Sequence, residues 1–125
     1  MKNFLLVCLL LATSGSVWAK WVKVNESDGI TFYIDTATIS TDGSLRRVWE
    51  IQDLQVRGEQ GEMSRRAEHE SDCKEWRWRI LSISTHSEPM ASGKVLGSSD
   101  TVSDWMSVTP ESIRDAILRI VCSRK

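Results

Sequence analysis

The side chains best suited to catalysis in this sequence are its two histidines, His69 and His86. Nucleophilic hydrolysis needs a histidine beside a serine or cysteine, and an acid that orients the imidazole ring. No Gly-x-Ser-x-Gly motif is present to supply such a serine. Glu68-His69-Glu70 has metal-binding residue types, but successive strand residues face opposite ways, so both carboxylates cannot join one imidazole. We therefore expect His69 to be an ordinary strand residue and His86, beside a predicted strand end, to be solvated.

Acidic residues offer a second chemistry, general acid–base catalysis by paired carboxylates. Many such pairs can be drawn along the predicted strands, but on a solvated sheet face they are common and usually inert. The residues concerned are Glu50, Asp53, Glu68, Glu70 and Asp72. The sequence therefore predicts no catalytic residues, no metal site, no cofactor and no enzymatic activity.

Arginine and tryptophan recur together along three successive predicted strands. In the structural interpretation, guanidinium groups stack over indole rings and stabilise the sheet by about 0.5–1 kcal/mol per exposed contact. In the functional interpretation they form a binding patch, because Trp and Arg are enriched in interface hot spots. An acidic protein segment or a sulfated polysaccharide would suit such a patch. The candidate residues are Arg46, Arg47, Trp49, Arg77, Trp78 and Arg79.

Cysteine content predicts one disulfide bond. Of the three cysteines, Cys8 lies in an apolar N-terminal segment that we interpret as a cleaved leader, which leaves Cys73 and Cys122. An exported chain with two cysteines most simply pairs them, and a loop of this size contributes roughly 4 kcal/mol of stability. The alternative, a redox pair or metal ligands, has no Cys-x-x-Cys motif and no Cys/His cluster to support it.

A series of strands must position these residues. Alternating or β-branched apolar patterns separated by turn residues predict six strands, at 21–24, 30–34, 45–54, 63–73, 76–84 and 94–96. Glycine at the end of Glu26-Ser27-Asp28-Gly29 suits a tight hairpin. In the fifth strand the apolar face changes side at Leu81, which indicates either cover on both faces or a bulge.

One helix is predicted at the C-terminus. Ile113, Ala116, Ile117, Ile120 and Val121 form one apolar stripe at helical spacing. Thr109 is expected to cap this helix, with Pro110 at its first position and Glu111 near the positive end of its dipole. Cys122 falls at the helix end, where a bridge to a strand would hold the helix on the sheet. Strands followed by one helix indicate an α+β domain, an antiparallel sheet with a helix on one face.

Residues 1–19 are typical of a secretory signal peptide. A single charge, Lys2, precedes an apolar run too short to span a bilayer, and the small residues before Ala19 suit signal peptidase. The alternative is an N-terminal membrane anchor. Cleavage would leave residues 20–125 as a single domain with no integral membrane segment. Without Lys2, 15 basic residues face 17 acidic ones, a net charge near −2 that argues against a nucleic-acid partner.

The ordered set of motifs in residues 20–125 resembles the bacterial surface-adhesin protein E family of Gram-negative bacteria. The residues that carry the resemblance are Trp21-Val22-Lys23-Val24, Tyr33-Ile34-Asp35, Ile39, Val48-Trp49, Ser64, Asp72-Cys73, Arg79-Ile80-Leu81, Trp105, Val108, Pro110-Glu111-Ser112 and Cys122. The resemblance implies an antiparallel sheet of about six strands, with the C-terminal helix packed on its concave face. It also implies the Cys73–Cys122 tether.

Family resemblance implies, by analogy, a non-enzymatic exported module that binds extracellular-matrix or serum proteins, and possible binding of haem. Cys8 lies inside the apolar run and cannot anchor a lipid, which favours the periplasm over the cell surface. Two alternatives stay open. One is a periplasmic structural or accessory protein that associates with itself or a protein partner. The other is a binder of a small hydrophobic, haem-like ligand.

Overall fold

The computed structural model describes residues 20–124, so the predicted leader at 1–19 lies outside the described residues. Within 20–124, eight strands form one antiparallel sheet and a single α-helix follows them. The strands are β1 (Trp21–Ser27), β2 (Ile30–Asp35), β3 (Ser40–Asp42), β4 (Leu45–Leu54), β5 (Ser64–Asp72), β6 (Arg77–Glu88), β7 (Ser92–Ser99) and β8 (Met106–Ser107). The helix is α1 (Ile113–Cys122), and a 3-10 turn at Thr36–Thr38 links β2 to β3.

Six strands form the main path of the sheet, in the order β1-β2-β4-β5-β6-β7. This confirms the predicted α+β fold with an antiparallel sheet of about six strands. The short strands β3 and β8 pair with β4 and β6. Asp28 and Gly29 both have positive φ, 52° and 77°, at the predicted turn between β1 and β2. Two such residues make the tight turn whose twist matches that of a hairpin.

The predicted strand boundaries agree best with the observed ones where apolar and polar residues alternate in the sequence. The β4 strand has the predicted bounds, whereas β6 runs four residues beyond the predicted end at Ser84. The β5–β6 register passes from Glu68–Ser82 to His69–Ile80, so Leu81 is an extra residue in β6. A bulge at Leu81, one of the two explanations expected from the sequence, is therefore present. It explains why the apolar side of this strand changes there.

The helix begins later than predicted because Ser112, not Thr109, is its N-cap. The Ser112 side chain accepts a hydrogen bond from the backbone N–H of Asp115 at 3.1 Å. Glu111 has φ of 63°, a left-handed conformation that a right-handed helical turn does not contain. Thr109 and Pro110 therefore belong to the loop before α1, and the predicted cap at Thr109 is wrong.

The core joins one stripe of α1 to the centre of the sheet. Ile117 and Val121 pack against Ile34 of β2 and Val48 of β4, and all four are at most 1% exposed. The disulfide between Cys73 and Cys122, with Cα atoms 5.7 Å apart, ties the end of α1 to the β5–β6 hairpin. Both the predicted pairing and the predicted position of the helix on the curled sheet are confirmed.

Candidate functional site

The two faces of the sheet divide the six residues predicted as a binding patch. We call the face that packs against α1 the inner face and the opposite one the outer face. Arg46 and Trp78 point to the inner face: Nε of Arg46 donates to the carbonyl oxygen of Arg124, and the Arg114 guanidinium lies 3.8 Å from the Trp78 ring. Because side chains alternate along a strand, the other four share the outer face: Arg47, Trp49, Arg77 and Arg79.

Glu70 links two of these arginines across three strands. It lies on β5 between Arg47 of β4 and Arg79 of β6. Nε of Arg47 donates to Oε2 of Glu70 at 3.1 Å, while Nε and Nη2 of Arg79 donate to Oε1 at 2.9 and 2.6 Å. Glu70 is only 3% exposed because the two guanidinium groups cover it. The sheet thus holds both arginines in place with one shared carboxylate.

Asp72 holds the third arginine at the next register position. Nε of Arg77 donates to its Oδ2 at 3.0 Å, and the backbone N–H groups of Lys74 and Glu75 both donate to its Oδ1 at 3.1 Å. Burial alone would raise the pKa of Asp72, but these hydrogen bonds hold that pKa below its usual value. Asp72 therefore fixes both the hairpin turn and the direction of Arg77.

Tryptophan rings complete the outer face. The guanidinium groups of Arg77 and Arg79 lie 4.6 and 4.2 Å from the centre of the Trp105 ring. On the neighbouring strands, Arg66 of β5 lies 4.2 Å from the centre of the Trp49 ring on β4. These are cation–π distances. The predicted interleaving of arginine and indole groups across the sheet is therefore present on this face.

We name the resulting surface the outer-face cluster: Arg47, Trp49, Arg66, Arg77, Arg79 and Trp105. Three acidic side chains of β5 share its face by register and alternation: Glu68, Glu70 and Asp72. Most of the positive charge of this surface is thus already balanced. Arg66 is the exception, because it is exposed and has no ion-pair partner among residues 20–124.

Two members of the cluster were missing from the predicted patch. Arg66 stands out in the sequence only as half of the doublet Arg65-Arg66, and strand register is what sets it against Trp49. Trp105 lies in a loop with no alternating pattern, so only the path of that loop to β8 brings it over Arg77. The sequence signal that pointed to Trp105 was the position of a tryptophan close to the predicted helix.

On the inner face, charged groups are buried between the sheet and α1. Glu50 of β4 is 1% exposed and accepts hydrogen bonds from Nη1 of Arg114 and Nε2 of Gln52, both at 2.8 Å. Nε2 of His69 lies 3.2 Å from the same carboxylate, and the His69 ring packs against Trp78 with centroids 5.0 Å apart. His69 is therefore part of a buried ion cluster, not an ordinary strand residue.

The geometry of this inner cluster favours a structural role. Burial would raise the pKa of Glu50, but the nearby His69 ring, the Arg114 guanidinium and the hydrogen bonds from Arg114 hold it well below its usual value. The contact with His69 lies off the hydrogen-bond direction, since neither of its ring nitrogens has a hydrogen-bond partner within residues 20–124. The Glu50 carboxylate pairs with Arg114 and so holds α1 on the sheet.

His86 is buried, so its predicted solvated position is wrong. It is 7% exposed on the β6 strand, which continues past the predicted strand end. Its Nε2 lies 2.8 Å from the Ser84 hydroxyl. Burial, followed by the charge of Arg66, lowers its pKa. Among residues 20–124 no carboxylate hydrogen-bonds to this ring and no His/Cys/Asp/Glu group fits a metal ion, so the site lacks the third member of a triad.

A cleft of about 620 Å³ lies between the β1–β2 hairpin and the start of α1. Ile30, Phe32 and Ile113 supply its apolar surface, while Glu26, Asp28, Glu111 and Arg114 contribute charge at its edge. Its lining contains no histidine, cysteine or methionine. The cleft therefore offers haem no axial iron ligand from these residue types.

Comparison with known proteins agrees with this architecture. Crystal form II of Haemophilus influenzae protein E matches the chain at 14% identity with a TM-score of 0.68, covering 86% of this chain and 91% of that one. A selenomethionine form matches at 13% identity with a TM-score of 0.69, covering 87% and 90%. A third structure matches at 16% identity with a TM-score of 0.62, covering 86% and 87%. At identities this low, the structural matches show a shared fold and nothing more.

Among the curated protein sequences, none matches the chain. The family model described as surface-adhesin protein E matches residues 21–123, nearly all of the part that the structure describes. This match includes both disulfide cysteines, the strands of the outer-face cluster and the whole of α1. The chain belongs to the surface-adhesin protein E family.

Proposed function

We propose that this protein is an exported binding module that recognises a protein partner through the outer-face cluster. The observation that carries the proposal is Arg66, an exposed cation with no ion pair among residues 20–124, stacked on Trp49 on the outer face of the central strands. Neighbouring arginines are already held in position by Glu70 and Asp72. A surface whose side chains are ordered before binding loses little conformational entropy when a partner docks.

Charge balance favours a protein over a sulfated polysaccharide. The outer-face cluster has four arginines beside three carboxylates of β5, whereas polyanions are bound by dense positive charge that remains unneutralised. A protein segment with one acidic group for Arg66 and apolar or aromatic side chains for the indole rings would match this surface better. Family membership supports host matrix or serum proteins as the partner class.

The test is binding of purified Arg66→Glu to immobilised matrix and serum proteins, with heparin as the polyanion for comparison. Arg66 has no ion-pair partner among the described residues, so charge reversal leaves no buried carboxylate behind. Loss of a hot-spot residue typically weakens binding by about 30-fold or more. The matched control is Lys94→Glu, an equal change in net charge at an exposed residue of β7. Unchanged binding by Arg66→Glu, or an equal loss in the control, would contradict the proposal.

Location is tested by adding protease to intact cells. No helix within residues 20–124 is long and apolar enough to cross a membrane. Cleavage by external protease would support display at the surface, as expected for an adhesin. A pool reached only after the outer membrane is opened would support the periplasmic accessory role instead.

A further inference from the structure

The cleft between the β1–β2 hairpin and the start of α1 has an apolar floor. Ile30 and Phe32 of β2 and Ile113 of α1 line it, and all three are only partly buried. Phe32 and Ile113 also pack against the buried core that joins α1 to the sheet, which holds the floor in place. At about 620 Å³ the cleft has the size of pockets that bind ligands, roughly 300–1,000 Å³. The floor is therefore a preformed apolar surface that a ligand can reach.

Negative charge borders the cleft on both sides. Asp28, in the turn of the hairpin, and Glu111, directly before α1, are exposed and line the cleft. Neither carboxylate has an ion-pair partner among residues 20–124. The third acid of the lining, Glu26, lies 3.5 Å from the ammonium group of Lys23 in an exposed contact. Two carboxylates, one on each side of the apolar floor, are thus available to a ligand.

Positive charge at the cleft is already engaged. Among the described residues that line it, Arg114 is the one cation. Its Nη1 and Nη2 donate to the Glu50 carboxylate at 2.8 and 3.3 Å, and its guanidinium lies 3.8 Å from the Trp78 ring. The positive end of the α1 dipole would otherwise favour an anion, but the side chains of Ser112 and Asp115 already accept hydrogen bonds from N–H groups there. The uncompensated charge of the cleft is therefore negative.

Backbone strain occurs at the edge of this cleft. Glu111 has φ of 63°, a conformation that is uncommon for residues other than glycine, asparagine and aspartate. The Glu111 N–H donates to Oδ2 of Asp115 at 3.2 Å, and the Trp76 indole donates to the same carboxylate at 2.8 Å. Strained residues that surrounding contacts hold in this way are concentrated at ligand sites and active sites. The fold thus fixes the Glu111 backbone beside the cleft at a cost in conformational energy.

We propose that this cleft binds a short segment of a partner protein in which apolar side chains stand beside lysine or arginine. The apolar side chains cover the floor, and the basic groups pair with Asp28 on one side and Glu111 on the other. Charge complementarity selects such a segment over an acidic one. The site differs from the outer-face cluster in charge and in place, because α1 packs on the inner face. The proposal therefore does not rest on the binding role of that cluster.

Titration of the full-length mature chain with synthetic peptides, followed by NMR, tests the ligand class. The probe is the capped peptide Gly-Lys-Leu-Phe-Lys-Gly, compared with Gly-Glu-Leu-Phe-Glu-Gly and Gly-Lys-Ser-Ser-Lys-Gly. The first should shift the signals of Ile30, Phe32 and Ile113 saturably and bind at least fivefold more tightly than the other two. One comparison peptide lacks the matching charge and the other lacks the apolar contact. Equal binding of all three, or no shift at these residues up to millimolar peptide, would overturn the proposal.

Substitution of the two carboxylates tests the site. Asp28→Asn with Glu111→Gln should weaken binding of Gly-Lys-Leu-Phe-Lys-Gly about fivefold, as expected for the loss of two exposed ion pairs. The matched control, Glu59→Gln with Asp100→Asn, removes the same charge from exposed residues outside the cleft. Unchanged affinity in the first variant, or an equal loss in the control, counts against the site. Arg66→Glu should bind the peptide as the unmodified chain does, so this outcome is separate from that of the outer-face cluster.

Discussion

At the scale of single residues, Glu50 shows how this fold tolerates a buried charge. The carboxylate has almost no contact with solvent, and its oxygens accept bonds from Arg114 and Gln52 beside His69. An isolated charge in such a position would be strongly destabilising, but a paired and hydrogen-bonded one is not. The cluster therefore contributes chiefly to the orientation of α1 on the sheet.

Glu50→Gln should lower the free energy of unfolding by about 3 kcal/mol, because Arg114 would lose its counter-charge in a nearly dry site. Urea denaturation followed by tryptophan fluorescence measures this. The control is Glu26→Gln, since Glu26 is exposed and its pair with Lys23 is a surface contact worth under about 0.5 kcal/mol. Equal effects of the two substitutions would show that the inner cluster does not hold the helix.

A second prediction at the scale of single residues concerns the strained turn between β6 and β7. Met90 and Ala91, in the turn between β6 and β7, have φ of 57° and 56°. Their N–H groups donate to the side chains of Asp53 and Ser64 at 2.7 and 2.9 Å, which holds the turn in this conformation. Left-handed conformations of this kind are unfavourable for residues other than glycine.

Ala91→Gly should therefore stabilise the protein by about 0.5–1 kcal/mol, the relief of strain less the entropy gained by the unfolded chain. Ala37→Gly serves as the comparison, because its expected effect on stability has the opposite sign. Ala37 lies in the 3-10 turn without positive φ, so glycine there should destabilise by about 0.5–1 kcal/mol. Thermal denaturation of both variants measures the difference. A destabilising Ala91→Gly would contradict the assigned turn.

At the scale of elements, the sequence pattern and the local geometry place the start of α1 at different residues. Thr109-Pro110-Glu111 has the composition of a helix start, but Ser112 makes the capping bond. Asp115, one turn in, accepts a hydrogen bond from the Trp76 indole at 2.8 Å and one from Arg119 at 3.0 Å. Both bonds lower the pKa of Asp115, and the bond from Trp76 joins the helix to the β5–β6 hairpin.

Ser112→Ala should cost about 1 kcal/mol of stability, the usual effect of removing an N-cap side chain. Thr109→Ala should change stability by less than about 0.5 kcal/mol, because the Thr109 side chain does not cap α1. Urea denaturation of the two variants distinguishes the observed cap from the predicted one. The reverse order of effects would restore Thr109 as the cap.

At the scale of the whole molecule, four pKa values are shifted, and all four shifts are downward. Those of Glu50, Asp72, Asp115 and His86 all lie below their ordinary values in the folded chain. Each group therefore binds protons less readily when folded than when unfolded. Acidification then favours the unfolded state, and the contribution of each group is complete only above its unfolded pKa.

Stability should be nearly constant from pH 8 to 7 and begin to fall near the ordinary histidine pKa of 6.5. It should fall more steeply below the ordinary carboxyl values of 4.5 and 3.8. The urea midpoint measured from pH 8 to 3 gives this profile. His86→Asn should flatten the section between pH 7 and 5 and leave the steeper section in place. A midpoint that rises on acidification from pH 7 to 5 would contradict the signs assigned here.

Local pattern was enough for several features of the fold. The two cysteines outside the predicted leader predicted the Cys73–Cys122 bond, and regular alternation placed both ends of β4. The change of apolar side at Leu81 indicated a bulge or cover on both faces, and a bulge is present. Each of these depends on neighbours in sequence or on a simple count. Such signals can be read from a single sequence because backbone geometry links side-chain direction to sequence spacing.

Tertiary structure alone decided which charged groups meet. Arg46 and Arg47 are adjacent in sequence but lie on opposite faces, one at the end of α1 and the other on Glu70. Glu50, His69 and Arg114 are far apart in sequence and become one buried cluster only when α1 docks. The sequence by itself thus predicted the six main strands, the helix and the disulfide, but not the short strands β3 and β8. Strand register and helix docking decided the binding surface, because both depend on contacts between distant residues that no local pattern records.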